Sequence, residues 1–415
     1  MLHATIDGIA VEVEDGTTIL QAAKQYGIEI PTLCYMKDLA PEGSCRICMV
    51  EIEGSPKLAA ACSTPLSEGS VVHTESEKVI HSRRMTLNLL LSHHDTNCLT
   101  CGKNGACKLQ DLCYRYGVDR TTFTGDVFDK PIDDTNEFFT YNPNLCILCH
   151  RCVNTCQKLT GRGTIGTNFR GFRTVVAPAF QMQWKDTNCE RCGNCVQACP
   201  TGALQMKRRR QYRPWEITQK VLTTCPHCAT GCQYYLVVKN GRIVDTEAYD
   251  GPSNKGMLCV KGRSGSFDFV HSPERLTDPL IRDRASGEFR KASWDEALDL
   301  VASKFMEIKK QYGPKALAGF ACSRSPNEDV YMVQKMVRTC FGSNNTDNCA
   351  RVCHSASVAG LAMTLGSGAM TNPIGDITTD VDAIMLVGSN PEEAHPVVGM
   401  QIRRAVANGA KLIVV

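Results

Sequence analysis

No run of some 18 apolar residues occurs in these 415, so the sequence offers no membrane-spanning helix. Net charge is scarce too. Lys and Arg number 46 against 43 Asp and Glu, a formal +3, which argues against a bulk nucleic-acid or membrane-surface binder. The G-x-G-x-x-G string Gly161 to Gly166 falls between the cysteine motifs rather than in a strand–turn–helix unit, so a nicotinamide cofactor is expected on a partner rather than here. Met1 to Leu20 alternates apolar and polar residues and carries acids. It reads as two strands and a turn, not as an export signal. A reducing, cytoplasmic compartment is therefore expected, where disulfides are rare.

What the chain has in abundance is cysteine, 24 of them. In a reducing compartment that number points to metal. Spacing separates zinc from iron–sulfur clusters. Cys146-x2-Cys149-x2-Cys152-x3-Cys156 recurs 43 residues later as Cys189-x2-Cys192-x2-Cys195-x3-Cys199-Pro200. This is the two-cluster bacterial ferredoxin run, in which the fourth cysteine of each motif serves the other cluster. Cys146, Cys149, Cys152 and Cys199 are thus expected to hold one [4Fe–4S] cluster. Cys189, Cys192, Cys195 and Cys156 are expected to hold a second.

Three further groups follow. Cys34-x10-Cys45-x2-Cys48-x13-Cys62 has a thiolate, a close pair and a distant fourth ligand, amid short strands and the turn Pro41-Glu42-Gly43-Ser44. A [2Fe–2S] cluster is expected, with zinc as the competing occupant. His94-x3-Cys98-x2-Cys101-x5-Cys107 follows a helical stretch ending near Ser92. Its three thiols and one imidazole suit a [4Fe–4S] cluster or zinc, and His93 competes with His94 as ligand. Cys225-x2-Cys228-x3-Cys232-x26-Cys259, with Lys261 two residues on, suggests another [4Fe–4S] site. One two-iron and four four-iron clusters leave Cys113, Cys322, Cys340, Cys349 and Cys353 over. All but Cys353 are expected to be structural, Cys340 and Cys349 as small core residues.

The expected architecture is α+β and multidomain. Residues 1–78 read as a β-grasp [2Fe–2S] ferredoxin and 79–125 as the His/Cys3 insert. An acidic linker, 126–140, precedes the two-cluster ferredoxin at 141–208. A small [4Fe–4S] module follows at 209–272, opened by Lys207-Arg208-Arg209-Arg210, a solvated boundary. From 273 to 415 the texture is α/β. Helices are expected at Trp294–Tyr312, at Asn327–Cys340 with Asn327 as N-cap, and at Pro396–Asn408. Strands are expected at Ala316–Ala321, Val381–Val387 (buried) and Lys411–Val415. Helices alternating with apolar strands indicate a parallel sheet. Ligands bind such sheets outside the strands' carboxyl ends, which makes Gly388, Ser389 and Asn390 a candidate nucleotide crevice. A parallel sheet interrupted at Val415 leaves an edge unsatisfied, so the sequence is expected to be a piece or split form of something longer.

The order of the cysteine groups over residues 1–208 resembles the front of complex I large subunits and of [FeFe] hydrogenases. The rest resembles the molybdenum/tungsten bis-pterin oxidoreductases. The motifs are Cys225/Cys228/Cys232/Cys259 with Lys261, then Asn348-Cys349-Ala350-Arg351-Val352-Cys353-His354. Among those enzymes the chain is similar to the catalytic subunit of cytosolic formate dehydrogenases. That resemblance implies Cys353 as the molybdenum or tungsten ligand, with His354 beside it. It places Lys261 between the fifth cluster and a pterin. Gly388-Ser389-Asn390-Pro391-Glu392-Glu393 resembles a segment binding the pterin guanine dinucleotide, with Glu393 included, and Gly366 to Pro373 a loop near the metal. The arginine that orients formate in that family lies in a part not represented here. A soft thiolate suits a heavy, sulfur-rich metal, and an imidazole can carry a proton near neutral pH. The implied activity interconverts formate with CO2. Electrons would pass to a flavin- and cluster-bearing NAD(P)-linked subunit or to a hydrogenase subunit, in a hetero-oligomer. A non-catalytic electron-transfer subunit like that of complex I is the alternative. A hydrogenase lacks cysteines for its di-iron site after residue 208, and His354 argues against a nitrate reductase.

Overall fold

The computed structural model describes residues 1–125, 129–265, 267–379 and 381–415, the side chains of Arg209 and Arg210 excepted. It divides into two compact units. One comprises Met1–Phe267 with Ile374–Val415, the other Asp268–Pro373.

The first unit opens with strands Leu2–Ile6 and Ile9–Val13, antiparallel from Leu2↔Val13 to Ile6↔Ile9. Asp7 and Gly8 both take positive φ, 46° and 80°, the combination that matches the twist of a two-residue hairpin. Val71–His73 lies parallel to the first strand, and Met49–Ile52 and Ala59–Ala60 complete a five-stranded mixed sheet. Helix Ile19–Gln25 starts at a capping box. Thr18 Oγ1 accepts from Gln21 N, and Gln21 Oε1 accepts from Thr18 N. Ile19, Ala22 and Ala23 of that helix pack on Ile6, Val50 and Val72 of the sheet, all buried.

Helices Glu77–Leu91 and Lys108–Tyr116 form the insert. Arg83, fully buried, ties it to the sheet. Its guanidinium donates to the carbonyls of Ile47 and Met49, to Glu75 and to the Tyr116 hydroxyl, at 2.7–3.0 Å.

The expected acidic linker is corrected in part. Residues 126–128 lie outside the described residues. Residues 129–140 are packed rather than free. Asp133 and Tyr141 exchange backbone hydrogen bonds, Lys130 Nζ donates to Thr174 O, and strand Phe139–Tyr141 pairs with Leu204–Met206. The reason is apolar. Phe139 and Tyr141 both set ring edges against the buried Trp184, which a solvated linker would forgo.

The strand pair Phe139–Tyr141 and Leu204–Met206 closes the ferredoxin-like segment at both ends. Between them lie helix Arg151–Asn154, the hairpin Ile165–Asn168 with Val175–Pro178, and helix Asn194–Ala198. Next comes a short 3-10 turn, Lys207–Gln211. An antiparallel meander follows, Gln219–Thr224, Gln233–Lys239 and Arg242–Ala248. Helix Pro396–Ala407 is anchored on this unit. Val397 shares a core with Cys225, Cys232, Tyr234 and Leu258, and Arg403 reaches Thr160 O and Glu190. Strands Ala383–Leu386 and Lys411–Val414 pair in parallel. The expected buried strand Val381–Val387 is shorter and largely exposed, Met385 at 63%. Two strands alone have too little around them to cover both faces.

The second unit begins with the hairpin Leu280–Arg282 and Phe289–Lys291. Helix Trp294–Tyr312 starts where Ser293 Oγ accepts from Glu296 N. Strands Gly319–Ala321 and Thr346–Asn348 pair in parallel. The first is shorter than expected because Pro314–Ala316 is a 3-10 turn. The helix expected over Asn327–Cys340 runs Asn327–Met336 and closes in a π turn, Val337–Phe341. Asn327 is its first helical residue. Pro326 occupies the cap position, where its fixed φ suits the turn, so Asn327 does not cap. The small core here is Leu317, Val337 and Phe341. Among the described residues, no helix is long and apolar enough to cross a membrane.

Candidate functional site

Four of the five cysteine groups are brought together by the fold. In the first, the thiols associate as two pairs. Cys34 is hydrogen-bonded with Cys45, and Cys48 with Cys62. A bond from Cys45 holds the pKa of the Cys34 thiol down to about 5, while donating that bond, together with burial, pushes Cys45 up. A bond from Cys48 likewise holds Cys62 down to about 7. Two pairs of thiols fit a rhombic two-iron cluster, with one pair per iron. A single tetrahedral ion would instead draw all four thiolates to roughly 3.8 Å of each other, given Zn–S near 2.3 Å.

In the ferredoxin-like segment, Cys146, Cys149, Cys152 and Cys199 line one cavity with Tyr141, Val176 and Leu204. Cys156, Cys189, Cys192 and Cys195 line another with Trp184, Gly193 and Asn194. The motif repeat is also a conformational repeat. Leu148 and His150 have φ of 51° and 57°. Their counterparts 43 residues on, Arg191 and Gly193, have 56° and 69°. The left-handed turn aims a backbone N–H at sulfur in both, Leu148 N to Cys146 Sγ at 3.4 Å and Arg191 N to Cys189 Sγ at 3.3 Å. Burial pushes the thiols of Cys146 and Cys192 up to about 11 and Cys149 to about 12. Buried thiolates of this kind need a metal partner to stay charged.

The third cavity carries Cys225, Cys228, Cys232 and Cys259, with Lys261 and Gly262 on its wall. Burial raises Cys225 to about 11 and Cys232 to about 12. Among the described residues, no three Cys, His, Asp or Glu side chains are arranged to hold a single ion. The three cavity-lining quartets fit a body wider than one ion.

The His/Cys3 group is less gathered. Cys98 and Cys107 each sense Cys101 electrostatically, but Cys101 Sγ lies against the ferredoxin-like segment, 3.7 Å from Gln205 Nε2. The Nδ1 of His94 is buried with no hydrogen-bond partner, and burial lowers its pKa. His93 is exposed and stacks on Phe172 at 5.9 Å. The orphaned ring nitrogen favours His94 over His93 as a ligand.

Gly388, Ser389, Asn390 and Glu393 are exposed beyond the carboxyl end of strand Ala383–Leu386. Gly388 takes φ 58° and donates its N–H to Val415 O. Cys353 ends the short helix Ala350–Cys353 and is exposed. His354, also exposed, breaks the chain (φ −152°, ψ 19°) before helix Ser355–Leu365. Both belong to the second unit. Cys340 and Cys349 are not core residues, contrary to expectation. The π turn leaves Cys340 exposed. Cys349 sits just past strand Thr346–Asn348, where Ser323 hydrogen bonds lower its thiol pKa. Residues the sequence did not single out include Tyr141, whose hydroxyl is buried beside Cys146, and Arg263. Only contacts between distant segments reveal them.

Residues 1–77 match the 2Fe-2S iron-sulfur cluster binding domain, and 83–122 the NADH-ubiquinone oxidoreductase-G iron-sulfur binding region. Residues 137–205 match the ferredoxin-like domain of NADH-quinone oxidoreductase subunit 3, and 218–271 the molybdopterin oxidoreductase Fe4S4 domain. Residues 275–415 match molybdopterin oxidoreductase itself. A molybdopterin oxidoreductase region, residues 275–415, thus follows [2Fe–2S] and [4Fe–4S] domains of the NADH-G type. Three curated relatives illustrate the spread of proteins to which this chain is similar. NADPH-Fe(3+) oxidoreductase subunit alpha of Geobacter sulfurreducens is 36% identical over all of this chain and 48% of its own length. An NADH-quinone oxidoreductase chain of Rhizobium meliloti is 36% identical over 98% of this chain and 46% of its own. A Staphylococcus aureus protein provisionally named a formate dehydrogenase is 32% identical over 97% and 44%. The chain spans about half the length of the curated relatives it matches.

Proposed function

We propose that this chain belongs to the catalytic subunit of a formate dehydrogenase, interconverting formate with CO2, a proton and two electrons. The observation that carries the reading is Cys353-His354, four residues past Cys349 and just beyond a parallel strand in the molybdopterin oxidoreductase region. A bis-pterin guanine dinucleotide molybdenum or tungsten centre, when bound, takes up the electron pair. The Cys353 thiolate would supply a soft ligand for it, and the exposed His354 imidazole, next in the chain, would hold the released proton. Lys261, beside the Cys225/Cys228/Cys232/Cys259 cavity, offers a cation toward a pterin, and Gly388, Ser389, Asn390 and Glu393 offer backbone and carboxylate contacts to its nucleotide. The four ligand quartets and His94 with Cys98, Cys101 and Cys107 would hold four [4Fe–4S] clusters and one [2Fe–2S], about 18 iron atoms in all. Their role is to pass electrons singly to a flavin-bearing NAD(P)-linked subunit or a hydrogenase subunit in a cytoplasmic hetero-oligomer.

The deciding experiment uses anaerobically purified protein from a host that makes the pterin. Cys353→Ala should abolish formate-dependent dye reduction while leaving the cluster spectra intact. Retained activity would sink the proposal. The second reading, an electron-transfer subunit without its own catalysis, is favoured by the exposure of Cys353 and His354. Metal analysis separates the two. About one molybdenum or tungsten per chain supports catalysis, and iron without either supports the wire.

A further inference from the structure

Arg263 is 4% exposed, four residues past Cys259 in Cys259-Val260-Lys261-Gly262-Arg263. Its side chain crosses from one cysteine quartet to the other. Nε donates to Cys192 O at 2.8 Å, and Nη2 donates to Asn194 Oδ1 at 2.9 Å and Gln197 Oε1 at 2.8 Å. The crossing needs a glycine. A Cβ on Gly193 would stand 2.3 Å from Arg263 Cδ, and Gly193 has φ 69°. The joint is reciprocated. Asn194 Nδ2 donates to Leu258 O while Asn194 Oδ1 accepts from Leu258 N.

All three acceptors of the guanidinium are neutral oxygens. The charges that reach it are the thiolates of Cys192, Cys195 and Cys259 and the Asp245 carboxylate, and Asp245 itself accepts from the Tyr212 hydroxyl. A guanidinium does not shed its proton, and a buried cation needs compensating negative charge. Tetrathiolate iron–sulfur clusters are net anionic, and more so when reduced. A fixed cation therefore stabilises the reduced form, since net charge and hydrogen bonding set cluster potentials.

We propose that Arg263 is a positioning residue for electron transfer between the Cys156/Cys189/Cys192/Cys195 and Cys225/Cys228/Cys232/Cys259 centres, fixing their separation and raising both reduction potentials. One electron leaves one centre and enters the other, with no bond or proton moved. The inference rests on the reading that both quartets hold [4Fe–4S] clusters.

Redox titration of the full chain, followed by electron paramagnetic resonance, tests it. Arg263→Gln should lower both potentials, each reduction equilibrium shifting about tenfold, which is 59 mV for one electron. The remaining clusters should not move. Arg263→Lys, which keeps the charge, should restore most of the shift. Gln197→Glu, which sets a carboxylate against the guanidinium while leaving the arginine in place, should lower both potentials less. It decides the matter alone if Arg263→Gln does not fold. With both signals present, unmoved potentials in Arg263→Gln or in Gln197→Glu overturn the proposal. So does an Arg263→Lys shift as large as that of Arg263→Gln. Absence of either cluster signal from the unaltered chain, with iron correspondingly low, overturns the quartet reading and this inference with it.

Discussion

The cysteines of the two units differ in kind. In the first unit most are buried or half-buried among apolar side chains, and three quartets line cavities. In the second, Cys322, Cys340 and Cys353 are exposed, and Cys349 is half-exposed with its thiol pKa lowered. Burial raises a thiol and so makes an unligated thiolate costly. A quartet in a cavity is therefore held in place by packing before any metal arrives. An exposed cysteine such as Cys353 has no such prior definition and depends on what binds it. The lesson is that cluster sites are part of the core, while the candidate catalytic ligand is not.

The largest effect that could break this comparison comes from paired alanine substitutions. Cys195→Ala should remove about four iron atoms and destabilise the first unit, because Cys195 packs in its core with Ile165 and Trp184. Cys353→Ala should leave iron and thermal stability unchanged. Iron analysis and calorimetry decide, and equal iron loss in both variants would erase the distinction. Next, Arg83→Met leaves the carbonyls of Ile47 and Met49 without their buried donor, while Glu75 keeps Arg115. It should cost the first unit about 3 kcal/mol, at about 1–3 for each orphaned acceptor, seen as a lowered melting transition there. Phe341→Ala should do the converse. It opens the small core against Phe305, whose ring centroid is 4.9 Å away, at about 3 kcal/mol. The transition of the second unit should fall and iron content should hold. The smallest effect is Thr18→Ala, which removes one cap of helix Ile19–Gln25 at about 1 kcal/mol. A larger loss there would mean that the cap also supports the neighbouring cysteine loops.

What was legible in the sequence follows from how local each signal is. Helix Trp294–Tyr312 shows in its periodicity. The cysteine quartets show in spacing, because a motif with fixed gaps encodes its own loop. Strand Thr346–Asn348 did not show, since Thr-Asp-Asn has no strand pattern and exists by pairing with Gly319–Ala321. The cap expected of Asn327 failed because Pro326 already turns the chain. Tyr141 and Arg263 were invisible because their partners lie in distant segments. Cys340 and Cys349 misled because cysteine is usually buried, whereas a π turn and a strand end put these two near solvent.

The repeated motif has a further consequence. Cys199, from the second copy, lines the cavity of the first, and Cys156, from the first, lines that of the second. Each copy thus lends a finger to its sibling, and the two halves are clasped. Neither can be excised, duplicated or allowed to diverge alone without leaving the other short of a ligand. Maturation of the pair is correspondingly expected to be all or none. Partial iron starvation should give chains with both of these clusters or neither, rather than a population holding just one.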